Sequence, residues 1–159
     1  MDIENIERSG KMEFQGIDDT FFLLGLMSAF DNRYQAKADS FFEEISWKQF
    51  FAIICINLCK EAPTVKELAE VMGSSHQNVK QILNKLEKKG YIQIAPDEED
   101  RRKQRILLTD KTREFCSRHD EGSKAIVGKI FEGIDPKQVA ITIKTIMQME
   151  RNLEKVGEK

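Results

Sequence analysis

The segment from residue 75 to residue 88 carries side chains that can bind nucleic acid. Its polar side is rich in carboxamides and cations: His76, Gln77, Asn78, Lys80, Gln81, Asn84, Lys85 and Lys88. Its apolar residues recur at the spacing of an amphipathic helix: Val79, Ile82, Leu83 and Leu86. A carboxamide offers a donor beside an acceptor, which suits adenine in the major groove, and lysine neutralises phosphate. Either this face binds DNA, or it is an ordinary solvated helix surface.

The residues before this helix predict a second helix and a tight turn. Glu67 follows Thr64 by three residues, which is the pattern of a capping box at a helix start. Gly73 is suited to end that short helix, and Ser75 is a suitable N-cap for the next one. Two helices joined by a turn of about three or four residues are typical of a helix-turn-helix.

A short hairpin with a basic tip is predicted next. Residues 91–95 and 103–109 favour strands, and residues 96–100 form a mostly acidic turn between them. Four cations lie at or near the tip: Arg101, Arg102, Lys103 and Arg105. An arginine there could enter a narrow minor groove, and Asp100 could orient it through a bidentate contact. The alternative is that the charged tip only makes the surface soluble.

Four segments resemble the MarR family of bacterial winged helix-turn-helix transcriptional regulators. They are Glu67-Leu-Ala-Glu, Gly73-Ser-Ser, Val79 with Leu86-Glu-Lys-Lys-Gly-Tyr-Ile, and Asp100-Arg-Arg before Leu107-Leu-Thr. The motif covers about 45 of the 159 residues. One departure is Gln93-Ile94-Ala95, where family members often carry basic residues. The resemblance therefore does not extend to a contact between this strand and the DNA backbone.

The resemblance implies a fold and a binding site. The fold is mainly α with a small β-wing (α+β), and N- and C-terminal helices form a dimerisation region. The second helix of the pair enters the major groove, and Arg102, two places after the aspartate, reaches the minor groove. The predicted DNA-binding residues are Ser75, His76, Gln77, Asn78, Lys80, Gln81, Lys85, Asp100, Arg101 and Arg102. Gln77, Asn78 and Gln81 are assigned to base edges. The lysines are assigned to phosphate or support, and His76 either joins them or faces solvent.

The charge of the chain is segregated along its length. The net charge is −2, which alone argues weakly against DNA binding. Residues 1–45 hold 4 basic and 10 acidic residues, a net −6, whereas residues 74–118 hold 11 basic and 7 acidic residues, a net +4. Because local charge decides phosphate contact, the segregation favours DNA as the partner of the second segment.

Length, hydropathy and cysteine number predict a cytoplasmic protein, and the family resemblance implies a bacterium or archaeon as its source. A chain of 159 residues is the size of one domain, and it contains no apolar run of membrane length. Residues 1–11 are acidic and polar, so we expect no signal peptide and no membrane association. Three cysteines, an odd number, fit a reducing compartment better than a disulfide framework.

The rest of the chain divides into an arm and helices around the winged segment. We expect a flexible arm over residues 1–17, a helical dimerisation region over 18–45 and 110–159, and a DNA-binding region over 46–109. Ser46 starts an apolar helix that should run to Lys60 and be central and buried. Asp135-Pro136 is an N-cap followed by proline at the first helical position. In the family such helices build a two-fold dimer, whose recognition helices lie about 34 Å apart on a pseudo-palindromic operator.

The cysteines have both a chemical and a structural interpretation. Cys55 and Cys59 share one helix face at i and i+4, and Cys116 lies three residues before His119. Each pair could serve a redox or metal site. Free cysteines are among the most buried residues, however, and two ligands without partners are weak evidence for a metal. We therefore predict no metal and no cofactor, and keep a cysteine-based redox or metal sensor as an alternative.

The aromatic residues also allow two interpretations. Phe21, Phe22, Trp47 and Phe51 could line a pocket for a small apolar or aromatic effector, or form an ordinary core. We expect a homodimeric, sequence-specific repressor that such a ligand relieves by binding its two conformations unequally. No nucleophile, base or phosphate-binding loop with evident partners is present in the sequence, so we expect no enzyme. A winged-helix protein-interaction module is the other alternative.

Overall fold

The computed structural model describes residues 13–157, which contain six helices and two strands. In chain order they are α1 (Asp19–Asp39), α2 (Trp47–Leu58), α3 (Val65–Val71), α4 (His76–Lys88), β1 (Ile92–Pro96), β2 (Gln104–Leu108), α5 (Asp110–Ile130) and α6 (Pro136–Leu153). The mainly helical fold with a small β-wing is confirmed. The chain divides into two units, one ending at Thr112 and the other beginning at Arg113, so the division falls within α5. None of the described helices is both long and apolar enough to cross a membrane.

The helix starts follow the predicted caps. Thr64 Oγ1 accepts a hydrogen bond from the Glu67 amide at 3.3 Å, and the Glu67 carboxylate accepts one from the Thr64 amide at 2.7 Å. This reciprocal pair satisfies two amides that the first turn of α3 cannot use. The same device starts α2 at Ser46 and α6 at Asp135. Caps therefore fix where these helices begin.

The core of the first unit lies where the helix-turn-helix packs on α2. This helix contacts α1, α3, α4 and β2. The apolar side of α4 is buried as its spacing predicts, through Val79, Ile82, Leu83 and Leu86. Ile53 of α2, Leu68 of α3 and Ile106 of β2 are at most 1% exposed. The helix that follows Ser46 thus supports α3 and α4 from beneath, as expected.

Two expectations about α2 are wrong. The helix ends at Leu58 rather than Lys60, because Cys59 already has an extended backbone with ψ of 137°. It is also not buried all round, since Leu58 is 75% exposed and Phe51 is 36% exposed. At 100° per residue these two side chains lie roughly opposite the buried Ile53 on the helix.

The wing is an antiparallel hairpin fixed at its base. Ile94 pairs with Ile106 across the hairpin, and β1 begins at Ile92, one residue later than predicted. Tyr91 precedes the strand and is buried, with its carbonyl accepting hydrogen bonds from the Thr109 amide at 3.1 Å and from the Thr112 hydroxyl. These bonds hold the end of β2 and the start of α5 beside the end of α4.

The predicted N-terminal arm is only partly described. Residues 1–12 of the expected 1–17 arm lie outside the described residues. The Phe14 ring contacts the Phe22 ring edge-on, with centroids 5.3 Å apart. Phe22 is therefore engaged near the start of α1, whereas its neighbour Phe21 is 72% exposed.

Candidate nucleic-acid interface

Helix α4, the predicted recognition helix, presents one row of polar residues directly away from the core. Ser75 Oγ accepts a hydrogen bond from the Asn78 amide at 3.2 Å and starts the helix. At 100° per residue, four exposed residues point opposite the buried stripe: Gln77, Gln81, Asn84 and Lys88. Within residues 13–157 none of these three carboxamides makes a side-chain hydrogen bond. Their donors and acceptors are therefore available to base edges.

Other predicted residues of α4 lie on its two flanks. Asn78 is on one flank, where its Nδ2 donates to Ser74 Oγ at 2.9 Å, and Lys85 is two turns further along on the same side. His76 and Lys80 are on the opposite flank, which faces the wing. The predicted set thus separates into an outward row and two flanks.

A groove joins the recognition helix to the wing. His76 and Lys80 line it together with the three cations of the wing turn, Arg101, Arg102 and Lys103. Helix α3 contributes Lys66, Glu67 and Glu70 to the same groove. The structure therefore brings His76 and Lys80 of the predicted helix residues onto one surface with the wing, and cations lie on both sides of the groove.

The acidic residues near this groove have intramolecular partners. The Thr64 backbone amide donates to the Glu67 carboxylate, and this hydrogen bond lowers the Glu67 pKa. The Glu70 carboxylate lies 4.0 Å from the Lys66 ammonium. Both carboxylates are therefore engaged by groups of the protein itself.

Arg102 projects from the wing turn while Asp100 holds its guanidinium. The Nε atom donates to Asp100 Oδ1 at 3.0 Å, and the terminal nitrogen NH2 donates to Asp100 Oδ2 at 3.4 Å. The Arg102 side chain is nevertheless 92% exposed. Its hydrogen bonds lower the pKa of Asp100, so this carboxylate stays ionised at neutral pH. The bidentate geometry predicted for this pair is present.

Arg105 does not belong to the exposed basic tip with which it was grouped from the sequence. It lies in β2 opposite Ala95, and its side chain is only 24% exposed. Its Nε donates to Asp97 Oδ2 at 2.5 Å, and its NH1 donates to the Ala62 carbonyl at 3.0 Å. The alternation of side chains along a strand turns Arg105 away from the groove, toward the loop before α3.

Comparison with known proteins shows similarity to the MarR family. Residues 56–103 match the sequence model of the MarR family. The structure of Streptococcus pneumoniae FabT in complex with DNA matches with a TM-score of 0.63 and 28% identity, over 87% of this chain and 99% of that chain. The predicted resemblance to the MarR family is therefore confirmed over a segment that runs from the end of α2 to the turn of the wing. The matched residues 56–103 include all the predicted DNA-binding residues, from Ser75 to Arg102.

Two further structures share the fold of this chain. The MarR/EmrR family transcriptional regulator from Acinetobacter sp. ADP1 matches with a TM-score of 0.78 and 15% identity, over 88% of this chain and 100% of that chain. Bordetella bronchiseptica BpsR, whose DNA binding is regulated by 6-hydroxynicotinic acid, matches with a TM-score of 0.70 and 14% identity, over 87% of this chain and 97% of that chain. The likeness therefore extends to the flanking helices.

Two residues of the outward row were not among the predicted site residues. Asn84 and Lys88 appeared in the sequence only as members of a broad polar face. With Gln77 and Gln81 they follow the spacing i, i+4, i+7, i+11, which keeps a row on one side of a helix. That spacing was the signal that could have identified them.

A cavity lies in the first unit, beside the start of the recognition helix. Its volume is about 350 Å³, and its lining includes Tyr34, Trp47 and Phe51. Ser74 and Asn78 of the helix-turn-helix line it too. Burial raises the pKa of the Tyr34 hydroxyl. Of the four aromatic residues predicted to bind an effector, Trp47 and Phe51 line the cavity, whereas Phe21 and Phe22 do not.

None of the three cysteines lines the groove between α4 and the wing. Cys55 is buried, and this burial raises the pKa of its thiol. Burial likewise raises the pKa of the Cys116 thiol, and His119 Nδ1 lies 2.9 Å from the Phe115 carbonyl oxygen. Within residues 13–157, no group of three or more His, Cys, Asp or Glu side chains could hold a metal ion. The raised thiol pKa values disfavour thiolate, the reactive form of cysteine.

Proposed function

We propose that this MarR-family protein is a homodimeric, sequence-specific DNA-binding repressor without catalytic activity. The recognition helix α4 would enter the major groove, and the wing would reach the adjacent minor groove through Arg102. The operator would be pseudo-palindromic, with half-sites about one turn of B-DNA apart. We also propose a cytoplasmic location, because the proposed partner is chromosomal DNA.

The observation that carries this proposal is the shared surface of helix and wing. A row of unengaged carboxamides suits adenine edges, and the flanking cations suit phosphate. Arg102 is exposed yet oriented by Asp100, which suits insertion into a narrow minor groove. FabT, crystallised in complex with DNA, adds independent support because its fold is similar and its identity is 28%.

The homodimer is supported by apolar residues that the single chain leaves exposed. In the first unit, Phe21 and Phe30 of α1 are 72% and 55% exposed. In the second unit, Ile141, Ile143 and Met147 of α6 are 53–63% exposed. Large exposed apolar surfaces of this kind mark interaction sites, and a second copy of the chain would cover them.

A small aromatic effector is the proposed regulator. The cavity beside α4 has a volume of about 350 Å³, within the usual range of ligand sites, and aromatic rings line part of it. It contacts Ser74 and Asn78, so a ligand there could favour one position of the recognition helix over another. BpsR, a protein of the same fold, has its DNA binding regulated by the aromatic compound 6-hydroxynicotinic acid.

The test of DNA binding is selection from a random duplex pool, followed by affinity measurement at two salt concentrations. We expect enrichment of an inverted repeat. Its affinity should fall roughly 10³- to 10⁵-fold between about 50 and 200 mM salt if about six to ten phosphates are contacted. A pool that yields no enriched sequence, together with no binding at low salt, would refute the proposal and favour a protein partner for the winged helix.

The effector is tested through the chain's single tryptophan. Trp47 lines the cavity, so its fluorescence reports directly on occupancy. Aromatic carboxylates and phenols would be screened for quenching, and each hit for release of the selected operator. A compound that quenches Trp47 and weakens operator binding supports the assignment. Release without any change at Trp47 would assign the effector to another site.

A further inference from the structure

A chain of polar contacts runs from the helix-turn-helix to the tip of the wing through Arg105. The guanidinium of Arg105 donates to the Ala62 carbonyl at 3.0 Å and lies 3.4 Å from the Glu67 carboxylate. Ala62 lies in the loop before α3, and Glu67 lies within α3. On its other side the same guanidinium donates to the Asp97 carboxylate at 2.5 Å. One side chain thus links α3 and its preceding loop to the wing turn.

Asp97 extends the chain of contacts into the turn. Its Oδ1 accepts hydrogen bonds from the amides of Glu99 at 3.0 Å and Asp100 at 2.7 Å. Asp100 in turn holds the Arg102 guanidinium. The contacts therefore run from α3 through Arg105, Asp97 and Asp100 to the most exposed arginine of the groove.

Arg105 is poorly placed to contact DNA itself. Its side chain is 24% exposed, against 92% for Arg102. It lines a depression on the other side of the hairpin with Glu61, Glu98 and Glu99, and it does not line the groove that contains Arg102. Its Nε and NH1 donors are used within the protein, and the acidic side chains around it would repel phosphate.

We propose that Arg105 is a positioning residue, which holds the wing turn against the helix-turn-helix so that Arg102 is set for the minor groove. This inference rests on the proposed DNA-binding function. The hydrogen bonds from the Asp100 amide and from Arg105 lower the pKa of Asp97 to about 2, so the link persists at neutral pH. An arginine is required because its planar fork reaches several acceptors at once, whereas lysine offers a single point charge.

The test is a double-mutant cycle between Arg102→Ala and Arg105→Lys. R105K keeps the positive charge and removes the fork. We expect each single variant to weaken operator binding about tenfold, and the double variant to be no weaker than either, because both remove the same contact. Arg101→Lys is the matched control: R101K combined with R102A should multiply the two single effects. Multiplicative effects in the R105K cycle would overturn the proposal.

A second measurement decides the inference without DNA. Hydrogen exchange of the Glu99 and Asp100 amides should become roughly tenfold faster in R105K, while the amides of the β1–β2 ladder keep their protection. Unchanged exchange at both turn amides would overturn the proposal even if operator affinity fell. If the parent binds no DNA, the proposed function fails, and the exchange result still decides whether Arg105 holds the turn.

If R105K does not fold, Asp97→Asn replaces it in both measurements. It keeps the shape of the side chain and removes the charge that Arg105 binds. Faster exchange at Glu99 and Asp100, and the same non-multiplicative cycle with R102A, are expected. Exchange and affinity equal to those of the parent would count against the contact chain as the device that positions Arg102.

Discussion

Two asparagines of the recognition helix allow the same substitution to be made in two different settings. Asn84 belongs to the outward row and makes no side-chain hydrogen bond within residues 13–157. Asn78 is turned to the flank, where it donates to Ser74 at 2.9 Å. If the outward row reads bases, Asn84→Ala should damage sequence recognition more than Asn78→Ala.

The expected magnitudes are well separated. Asn84→Ala would remove a base-edge contact worth about 1–3 kcal/mol, which is roughly a 5- to 150-fold loss of operator affinity. Asn78→Ala loses one exposed intramolecular hydrogen bond of about 1 kcal/mol and gains about 0.6 kcal/mol of helix propensity. The net cost corresponds to roughly a twofold change in an equilibrium constant. We expect it to appear in the folding equilibrium as much as in operator affinity.

The assay is competition binding with a set of operators that each carry one base-pair change. For Asn84→Ala we expect the preference at one base pair per half-site to disappear and the other positions to keep theirs. Thermal unfolding of both variants controls for loss of fold. A flattened profile in Asn78→Ala beside an unaltered one in Asn84→Ala would refute the assignment of the outward row to base edges.

Three further predictions concern stability. Thr64→Ala should lower the free energy of unfolding by about 1 kcal/mol in urea titrations, because the α3 capping box is lost, and Thr64→Ser should retain most of it. Ile106→Ala should cost about 2–5 kcal/mol in the same assay because the side chain is fully buried; a cost near that of an exposed position would contradict the core described here. Asp97 has a pKa of about 2 in the folded protein, below its ordinary value of 3.8. Its contribution to stability should thus be complete above about pH 4 and lost as the pH falls through about 2. In Asp97→Asn the free energy of unfolding should fall less steeply over that pH window than it does in the parent protein. If both proteins lose stability equally, the Asp97 carboxylate is not the source of the loss.

Local sequence signals were sufficient for most of the winged segment. The caps at Thr64 and Ser75 specify helix starts through their own side-chain oxygens, which depend on residues only three places away. The apolar spacing of α4 similarly fixes which side is buried. The start of β1 is off by one residue because Tyr91, a favourable strand residue, is held by tertiary bonds to the end of β2 and the start of α5.

Sequence reasoning placed some residues poorly because their positions depend on contacts with residues distant in the chain. Arg105 looked like one more cation of a basic tip, but its partner Ala62 lies 43 residues earlier. Phe21 and Phe22 looked like companions of Trp47 in one pocket because all are aromatic. The side on which each lies is set by how α1 packs on α2, which composition does not encode.

The wing shows why linear charge is a poor guide to DNA binding in this chain. Residues 97–105 hold four acidic and four basic side chains, so the segment is neutral in sequence. In three dimensions the charges separate. Arg101, Arg102 and Lys103 line the groove shared with the recognition helix, whereas Asp97, Glu98 and Glu99 line the opposite side of the hairpin. Because salt screens charge over about 8–10 Å, a phosphate in the groove responds mainly to the side chains around it. A neutral turn can therefore present a cationic surface to DNA while its acids organise the turn from behind.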